Sequence, residues 1–240
     1  MPRFFIDYVP EETAVLTGPD ARHIAKSLRM HPGEALVLCD SIGTDYNCEI
    51  ERIDGEIVTV RVLNFCRSVS EPTVRVTLYQ AFPKADKMDA VVQKAVELGV
   101  SRVTPVLTER CVSRPDEKAA KKKTERWQKI AEEAAKQSGR GVIPRVSAYM
   151  PYHAALREAA QAGGILFFYE GGGERIDALI GPGTRELALF IGPEGGFSQA
   201  EVDFAKEQGA RVATLGPRIL RTETAPIAAL AAVMLATGNM

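Results

Sequence analysis

The sequence predicts an α/β protein in two parts: a small N-terminal β-rich domain and a larger domain built on a parallel sheet. Three observations carry this. Closely spaced strand-like runs near the N-terminus leave no room for helical crossovers, so they pair antiparallel. From Val74 onward, short apolar runs alternate with helical patterns, the signature of parallel strands joined by helices. Two of those runs, Leu187 to Ile191 and Arg211 to Leu215, end in glycine-rich or polar loops, where open α/β sheets hold their ligands.

In the first part, residues 1–70, a helix is expected over Ala21 to Met30. Strands follow at Ala35 to Cys39, Tyr46 to Ile53 and Glu56 to Leu63. Gly33, Ser41-Ile42-Gly43 and Asp54-Gly55 punctuate them, and Asp54-Gly55 is a strong signal for a two-residue hairpin. Three such strands predict a small barrel. The segment Ser68-Val69-Ser70-Glu71-Pro72 reads as a linker.

In the second part, residues 73–240, Val74 to Phe82 alternates as a strand. Asp86 to Leu98 places Met88, Val91, Val92, Ala95 and Leu98 on one helical stripe, and Gly99 ends it. Val103 to Leu107 is a strand and Asp116 to Gln137 a long polar helix, on which Trp127, Ile130 and Ala134 form a packing stripe. Ile165 to Tyr169, Leu187 to Ile191 and Val212 to Leu215 are short buried strands. Ser198 with Glu201 three residues later reads as a capping box that starts a helix. The helix from Ile227 to Met234 is apolar on every side, more than one small domain covers, which points to a subunit interface.

Composition narrows the function. With 240 residues, 45% hydrophobic, 25% charged and a net charge of −1, the chain has the make-up of a soluble globular protein. Any nucleic-acid site is therefore a local patch. The longest apolar stretch, Ile227 to Ala236, has ten residues, whereas a membrane span needs about 20. No signal peptide opens the chain. Cys39, Cys48, Cys66 and Cys111 lack metal-site spacing, so no metal is expected and the thiols read as reduced and cytoplasmic.

The glycine loop Gly192-Pro193-Glu194-Gly195-Gly196 matches neither a P-loop nor a dinucleotide fingerprint. Two backbone-rich loops with few cations suit a neutral or positively charged ligand. In the second loop Arg218, Arg221 and Glu223 crowd the start of an apolar helix. Thr222 or Thr224 can cap that helix, and Pro226 fits its first turn. An arginine there opposes the helix dipole, so a substrate-facing duty accounts for it better. Separately, Arg22, Lys26 and Arg29 recur on one face of the first helix with His23 beside them, and Ile24 and Leu28 face inward. Lys118 to Lys129 form a second basic run. Neutralising phosphates is the main requirement of RNA affinity.

Gly192-Pro193-Glu194-Gly195-Gly196, followed by Leu215-Gly216 and Arg218-Ile219-Leu220-Arg221-Thr222-Glu223-Thr224-Ala225, resembles the paired signature of the bacterial 16S rRNA uracil-N3 methyltransferases of the SPOUT superfamily. Further matches run along nearly the whole chain. They include Arg3-Phe4-Phe5, His23 with Leu28-Arg29, Gln80-Ala81 with Pro83-Lys84, Lys87-Met88-Asp89, and Glu133 to Arg140. The resemblance implies a PUA-like N-terminal β-barrel that binds RNA and a C-terminal SPOUT domain with a deep trefoil knot. It also implies a homodimer that uses S-adenosylmethionine on 16S rRNA of the small ribosomal subunit. Pattern reasoning alone would have rejected a threaded chain.

On this resemblance the cofactor-binding residues are Tyr169, Glu170, Ile191, Gly192, Pro193, Gly195, Gly196, Leu215, Gly216, Ile219, Leu220, Thr224 and Ala225. Glycine-loop backbone can read adenine edges, and Leu215, Ile219 and Leu220 can pack on its faces. RNA would meet Arg3, Arg22, His23, Lys26, Arg29, Lys84, Lys87 and Arg140. Methylation at uracil N3 requires an extruded or unpaired base, loss of the imide proton, and stabilisation of the charge that spreads to the ring oxygens. Arg221 is the candidate for that stabilisation. Glu194 or Glu223 is the candidate base or orienter, and the sequence does not choose between them. The competing reading is a non-catalytic dimeric RNA-binding module.

Overall fold

A computed structural model describes all 240 residues. The chain divides into two compact units. One comprises Met1–Glu71 and Ala135–Ile143, the other Pro72–Ala134 and Pro144–Met240.

The first unit holds β1 (Arg3–Phe5), β2 (Thr13–Thr17), α1 (Gly18–Arg22), a π-helical turn (His23–Ser27), β3 (Ala35–Cys39), β4 (Thr44–Asp54) and β5 (Ile57–Arg67). The expected barrel takes the form of one five-stranded sheet in the order β1-β3-β4-β5-β2. β1 and β2 were not legible as strands. Each is short, and each pairs with a strand distant in sequence: β1 parallel to β3, β2 antiparallel to β5. Register shifts at Asn47/Cys48 and Ile50/Arg52 increase the local twist and curl the sheet around its core. Ile24, Leu36, Leu38, Ile50, Val58 and Val60 are fully buried there. The hairpin loop is Gly55-Glu56, one residue later than expected. Asp54 still pairs with Ile57, and Gly55 takes the positive φ.

The expected Ala21 to Met30 helix breaks in two. α1 ends at Arg22, the next turn closes by Leu28 N–H donating to the His23 carbonyl at 2.9 Å, and Arg29 turns left-handed at φ +54°. The wider π turn rotates the helical stripe. Ile24 is buried as expected, but Leu28 is exposed.

The expected linker is tied down. Glu71 accepts bonds from the backbone amides of Gly141 and Val142 and from Arg140, and Ser70 donates to the Gly139 carbonyl. These bonds bring residues 135–143 into the first unit. They also correct the expectation for Arg140. Its side chain is 4% exposed and paired with Glu71 at 2.6 Å, a structural cation rather than one presented to a phosphate. Arg3 likewise turns inward, 2.6 Å from Asp45 and 2.9 Å from the Cys39 thiol.

The second unit runs β6 (Arg75–Ala81), α2 (Lys87–Glu97), β7 (Arg102–Leu107), α3 (Glu117–Gln137, its last residues in the first unit), β8 (Arg145–Val146), β9 (Met150–Pro151) and α4 (Tyr152–Ala162). It continues with β10 (Gly164–Phe168), β11 (Glu174–Arg175), α5 (Ile176–Leu179), β12 (Glu186–Ile191), α6 (Gln199–Glu207), β13 (Arg211–Thr214) and α7 (Ala225–Ala236). The sheet order is β11-β13-β10-β12-β6-β7-β8, with β9 also beside β7, and every pairing is parallel. Unbroken apolar runs in β10 and β12 fit strands covered on both faces.

α2 buries Met88, Val91, Val92 and Ala95 of its expected stripe and ends at Glu97; Leu98 lies just past its end, half-buried, and Gly99 follows with φ +87°. A side chain there would also meet the Pro72 ring at 2.5 Å. Trp127 packs on Phe82 and donates to Asp89 at 3.1 Å. Phe190 of β12 stacks on Tyr79 with centroids 4.5 Å apart and lies beside Phe167. At 1% exposure it fills the centre of this layer. Phe190→Ala is expected to cost about 3–5 kcal/mol in urea unfolding, the transfer loss plus the cavity left behind. A loss below about 1 kcal/mol would mean that the ring does not support the sheet.

Candidate active site

Because every strand of the second sheet is parallel, all its carboxyl ends lie on one edge, where the polypeptide leaves the sheet and ligands can approach. β12 and β13 are not neighbours there, contrary to the simplest reading of two successive loops. β10 stands between them and supplies a third loop, Tyr169 to Gly173. The three loops enclose a cavity of about 900 Å³.

The loop after β12 turns tightly, with Gly196 N–H donating to the Pro193 carbonyl at 2.9 Å. Gly196 has φ +64°, and a Cβ there would lie 2.2 Å from Glu170 Oε1. Glycine is therefore favoured by the left-handed backbone, whereas the Glu170 carboxylate is the end of an exposed side chain that can move aside. The capping box at α6 forms as expected. Glu201 accepts from Ser198 N–H, Ser198 Oγ accepts from Glu201 N–H, and the second Glu201 oxygen takes Glu109 N–H at 2.8 Å. One buried carboxylate thus anchors the glycine loop and the loop after β7.

The loop after β13 closes on Arg221, whose carbonyl accepts from Thr224 N–H and Ala225 N–H. Pro226 sits in the first turn of α7 as expected. Neither threonine caps the helix. Thr224 makes no capping bond, and Thr222 is buried, donating through Oγ1 to the Gly192 carbonyl at 2.8 Å and accepting from Gln80 Nε2 at 3.1 Å.

Lys87 stands between the two outer loops. Its Nζ is 3.0 Å from Glu194 Oε1 and 3.1 Å from Glu223 Oε2. Glu194 also accepts the Lys84 backbone N–H at 3.1 Å. Partial burial works to raise both carboxyls. Lys87 and backbone amides outweigh it, so both sit below their ordinary range. The same bonds raise Lys87 above its usual value. All three groups are charged near neutrality.

Most of the residues expected at the site come together. Tyr169, Glu170, Ile191, Gly192, Pro193, Gly195, Gly196, Leu215, Gly216, Leu220 and Ala225 line the cavity, as do Glu194 and Arg221. Ile219 lines it with its side chain 86% exposed. Thr224 and Glu223 stand outside the lining, with Glu223 paired to Lys87, which is part of it. Lys87, expected on the RNA side, is instead the counter-ion of both glutamates. Lys84 is exposed on the short connection between β6 and α2. In the first unit Arg22, His23, Lys26 and Arg29 are exposed. Arg22 and Lys26 face Glu56 only loosely, at 3.9 and 3.8 Å. Sequence reasoning gave Gln80 no role, although an amide in the apolar run Leu78 to Phe82 is a visible signal.

A parallel sheet with a cavity at three strand ends defines a ligand-binding α/β domain. The RNA methyltransferase domain family matches residues 70–234, and the RNA methyltransferase PUA domain family matches residues 16–63. The chain is 34% identical to a Ribosomal RNA small subunit methyltransferase E of Bacillus subtilis, an alignment covering 99% of this chain and 97% of that one. It is also 34% identical to the protein of that name in Mycobacterium bovis, covering 98% and 92%. A solved Ribosomal RNA small subunit methyltransferase E from Neisseria gonorrhoeae, bound to S-adenosyl methionine, superposes with TM-score 0.87 at 33% identity, over 98% of this chain and 97% of that one. The chain belongs to the RNA methyltransferase domain family.

The Lys87 clasp has a definite pH dependence. The depressed carboxyls contribute stability above their unfolded value near 4.5 and lose it as pH falls through their lower folded values. Lys87 contributes below its unfolded 10.5 and loses it above. The melting temperature of Lys87→Met should therefore lie below that of wild type by a constant margin between about pH 5.5 and 9, closing in acid. A margin that persists undiminished in strong acid would show that Lys87 acts through packing alone.

Proposed function

We propose that the chain transfers the methyl group of S-adenosylmethionine to N3 of a uridine in 16S rRNA, acting on the small ribosomal subunit in the cytoplasm. The observation that carries this is the three-loop cavity of about 900 Å³. Its walls combine glycine backbone with apolar and charged side chains, and it is large enough for a nucleoside-sized ligand.

The residues present fit that cofactor. Gly192, Gly195 and Gly196 bring backbone to the wall, and Ile191, Leu215 and Leu220 supply apolar surface for a planar base. When bound, S-adenosylmethionine supplies an electrophilic methyl carbon on a sulfonium. The chain's own residues do the rest. The exposed Arg221 is placed to hold a uracil oxygen and stabilise the anion formed as N3 gives up its proton to solvent. Glu194 and Glu223 are orienters. With their carboxyls held below the ordinary range and Lys87 between them they are poor bases, and they fix the two loops that set the position of Arg221. Glu223 acts on the cavity through Lys87, which lines it.

RNA is assigned to exposed cations: Arg22, His23, Lys26 and Arg29 in the first unit, Lys84 in the second. The N-terminal unit would serve as the PUA-like RNA module and the second as the SPOUT domain, with the threaded chain of that superfamily. A homodimer is favoured by α7. Its residues Ala229, Leu230, Val233 and Met234 are buried. Ile227, Ala228, Ala231, Ala232 and Leu235 form a second apolar stripe that stays partly open, with Leu235 67% exposed.

The defining experiment incubates the protein with labelled S-adenosylmethionine and unmodified small subunits and maps the methylated nucleotide. Absence of label, with cofactor bound, would favour the non-catalytic RNA-binding alternative. Arg221→Ala should lower kcat by about 10²–10³ while cofactor affinity in calorimetry holds. Normal turnover in that variant removes Arg221 from the role. In sedimentation the wild type should run as a dimer and Ala231→Glu as a monomer. A monomeric wild type ends the dimer proposal.

A further inference from the structure

The end of β6 carries a buried amide that the mechanism above does not use. Gln80 is 0% exposed, between Tyr79 and Ala81 in a strand otherwise apolar at this end. Burying an amide is unfavourable unless its polar atoms are bonded. Gln80 Oε1 accepts no bond from the protein, so the side chain does not serve a donor of the fold. Its Nε2 makes both bonds, to the Ala81 carbonyl at 3.1 Å and to Thr222 Oγ1 at 3.1 Å.

These contacts fix a direction. A carbonyl can only accept, so the Ala81 oxygen holds the NH₂ end of the amide inward. The same NH₂ must then donate to Thr222. A hydroxyl has one proton, and Thr222 is left to donate it to its remaining partner, the Gly192 carbonyl at 2.8 Å. Thr222 opens the last turn of the loop after β13, and Gly192 begins the loop after β12. β10 separates those strands in the sheet, so no backbone ladder joins the two loops.

We propose that Gln80 is a positioning residue for cofactor binding: by orienting the Thr222 hydroxyl toward Gly192, it holds the two outer loops at the spacing that forms the cavity. The proposal rests on the reading that S-adenosylmethionine binds in that cavity, and it adds a residue to the site that touches no ligand itself.

The test compares wild type, Gln80→Met, Thr222→Val and the double variant. Hydrogen exchange in the ligand-free protein should quicken about 3–10-fold over residues 192–197 and 222–224 in Gln80→Met, the worth of one buried hydrogen bond. The dissociation constant for S-adenosylmethionine, measured by calorimetry, should rise by a similar factor. Turnover at saturating cofactor should stay within about twofold of wild type, as for a lost ground-state contact. Adding Gln80→Met to Thr222→Val should cost little more than Thr222→Val alone, because the amide acts through the hydroxyl. Unchanged exchange and affinity in a folded Gln80→Met, or losses that multiply in the double variant, overturn the proposal. If loop exchange responds as described but no variant, wild type included, binds S-adenosylmethionine, Gln80 still positions the loops and the cofactor reading fails instead. Should Gln80→Met not fold, NMR of the wild type decides. A protected Thr222 hydroxyl proton with a cross-peak to the Gln80 side-chain NH₂ supports the relay, and a Gln80 carbonyl facing Thr222 overturns it.

Discussion

The cavity at the edge of the second unit's sheet depends on one constraint. The two outer loops that line it leave strands that do not touch. β12 and β13 each pair with β10, and the ladders that align the three strands end where the loops begin. Beyond that edge the loops need side-chain ties to keep any fixed spacing. Two are present, one rooted at the end of β6 and the other at the start of α2. Thr222 reaches the Gly192 carbonyl from inside, under the buried Gln80. Lys87 joins Glu194 to Glu223 from outside.

The two ties differ in physical character. The inner one is neutral, buried and directional. Its strength is insensitive to salt, and its geometry is set by which atom donates. The outer one is ionic and part-exposed, so solvent and salt screen it. A site that must admit and release a ligand is well served by a rigid inner hinge and a softer outer clasp. Glu201 extends the same logic to a fourth loop, binding the start of α6 and the loop after β7 with one carboxylate. In the first unit Glu71 does the equivalent work, gathering Arg140 and two backbone amides so that a segment distant in sequence completes the unit.

Local rules carried far along this chain. The α2 stripe ending at Gly99, the capping box at Ser198 and Glu201, and the apolar strands β6, β7, β10, β12 and β13 were all readable, because each depends on residues within a few positions of one another. The glycine-rich strand ends were readable as tight turns for the same reason, and they line the cavity. The failures also share a cause. β1 and β2 gain their structure from partners at the far side of a sheet. The π turn after Arg22 is chosen by packing rather than propensity. The supposed linker at 68–72 is held by residues about seventy positions away. Arg3, Lys87 and Arg140 looked like free cations, since a sequence shows a charge but not the carboxylate opposite it.

The sequence by itself determined the parallel α/β class and the strand ends that line the cavity, through periodicity, caps and the conformational freedom of glycine, all short-range properties; most of the individual lining residues were named from the family resemblance of the two loop motifs. Only the tertiary structure decided that β10 separates the two main loops, that Gln80 and Lys87 bridge them, and that Glu194 and Glu223 are engaged by a cation. Strand order, burial and ion pairing arise when segments remote in the chain share one edge of a sheet, and no local pattern encodes which of them will meet.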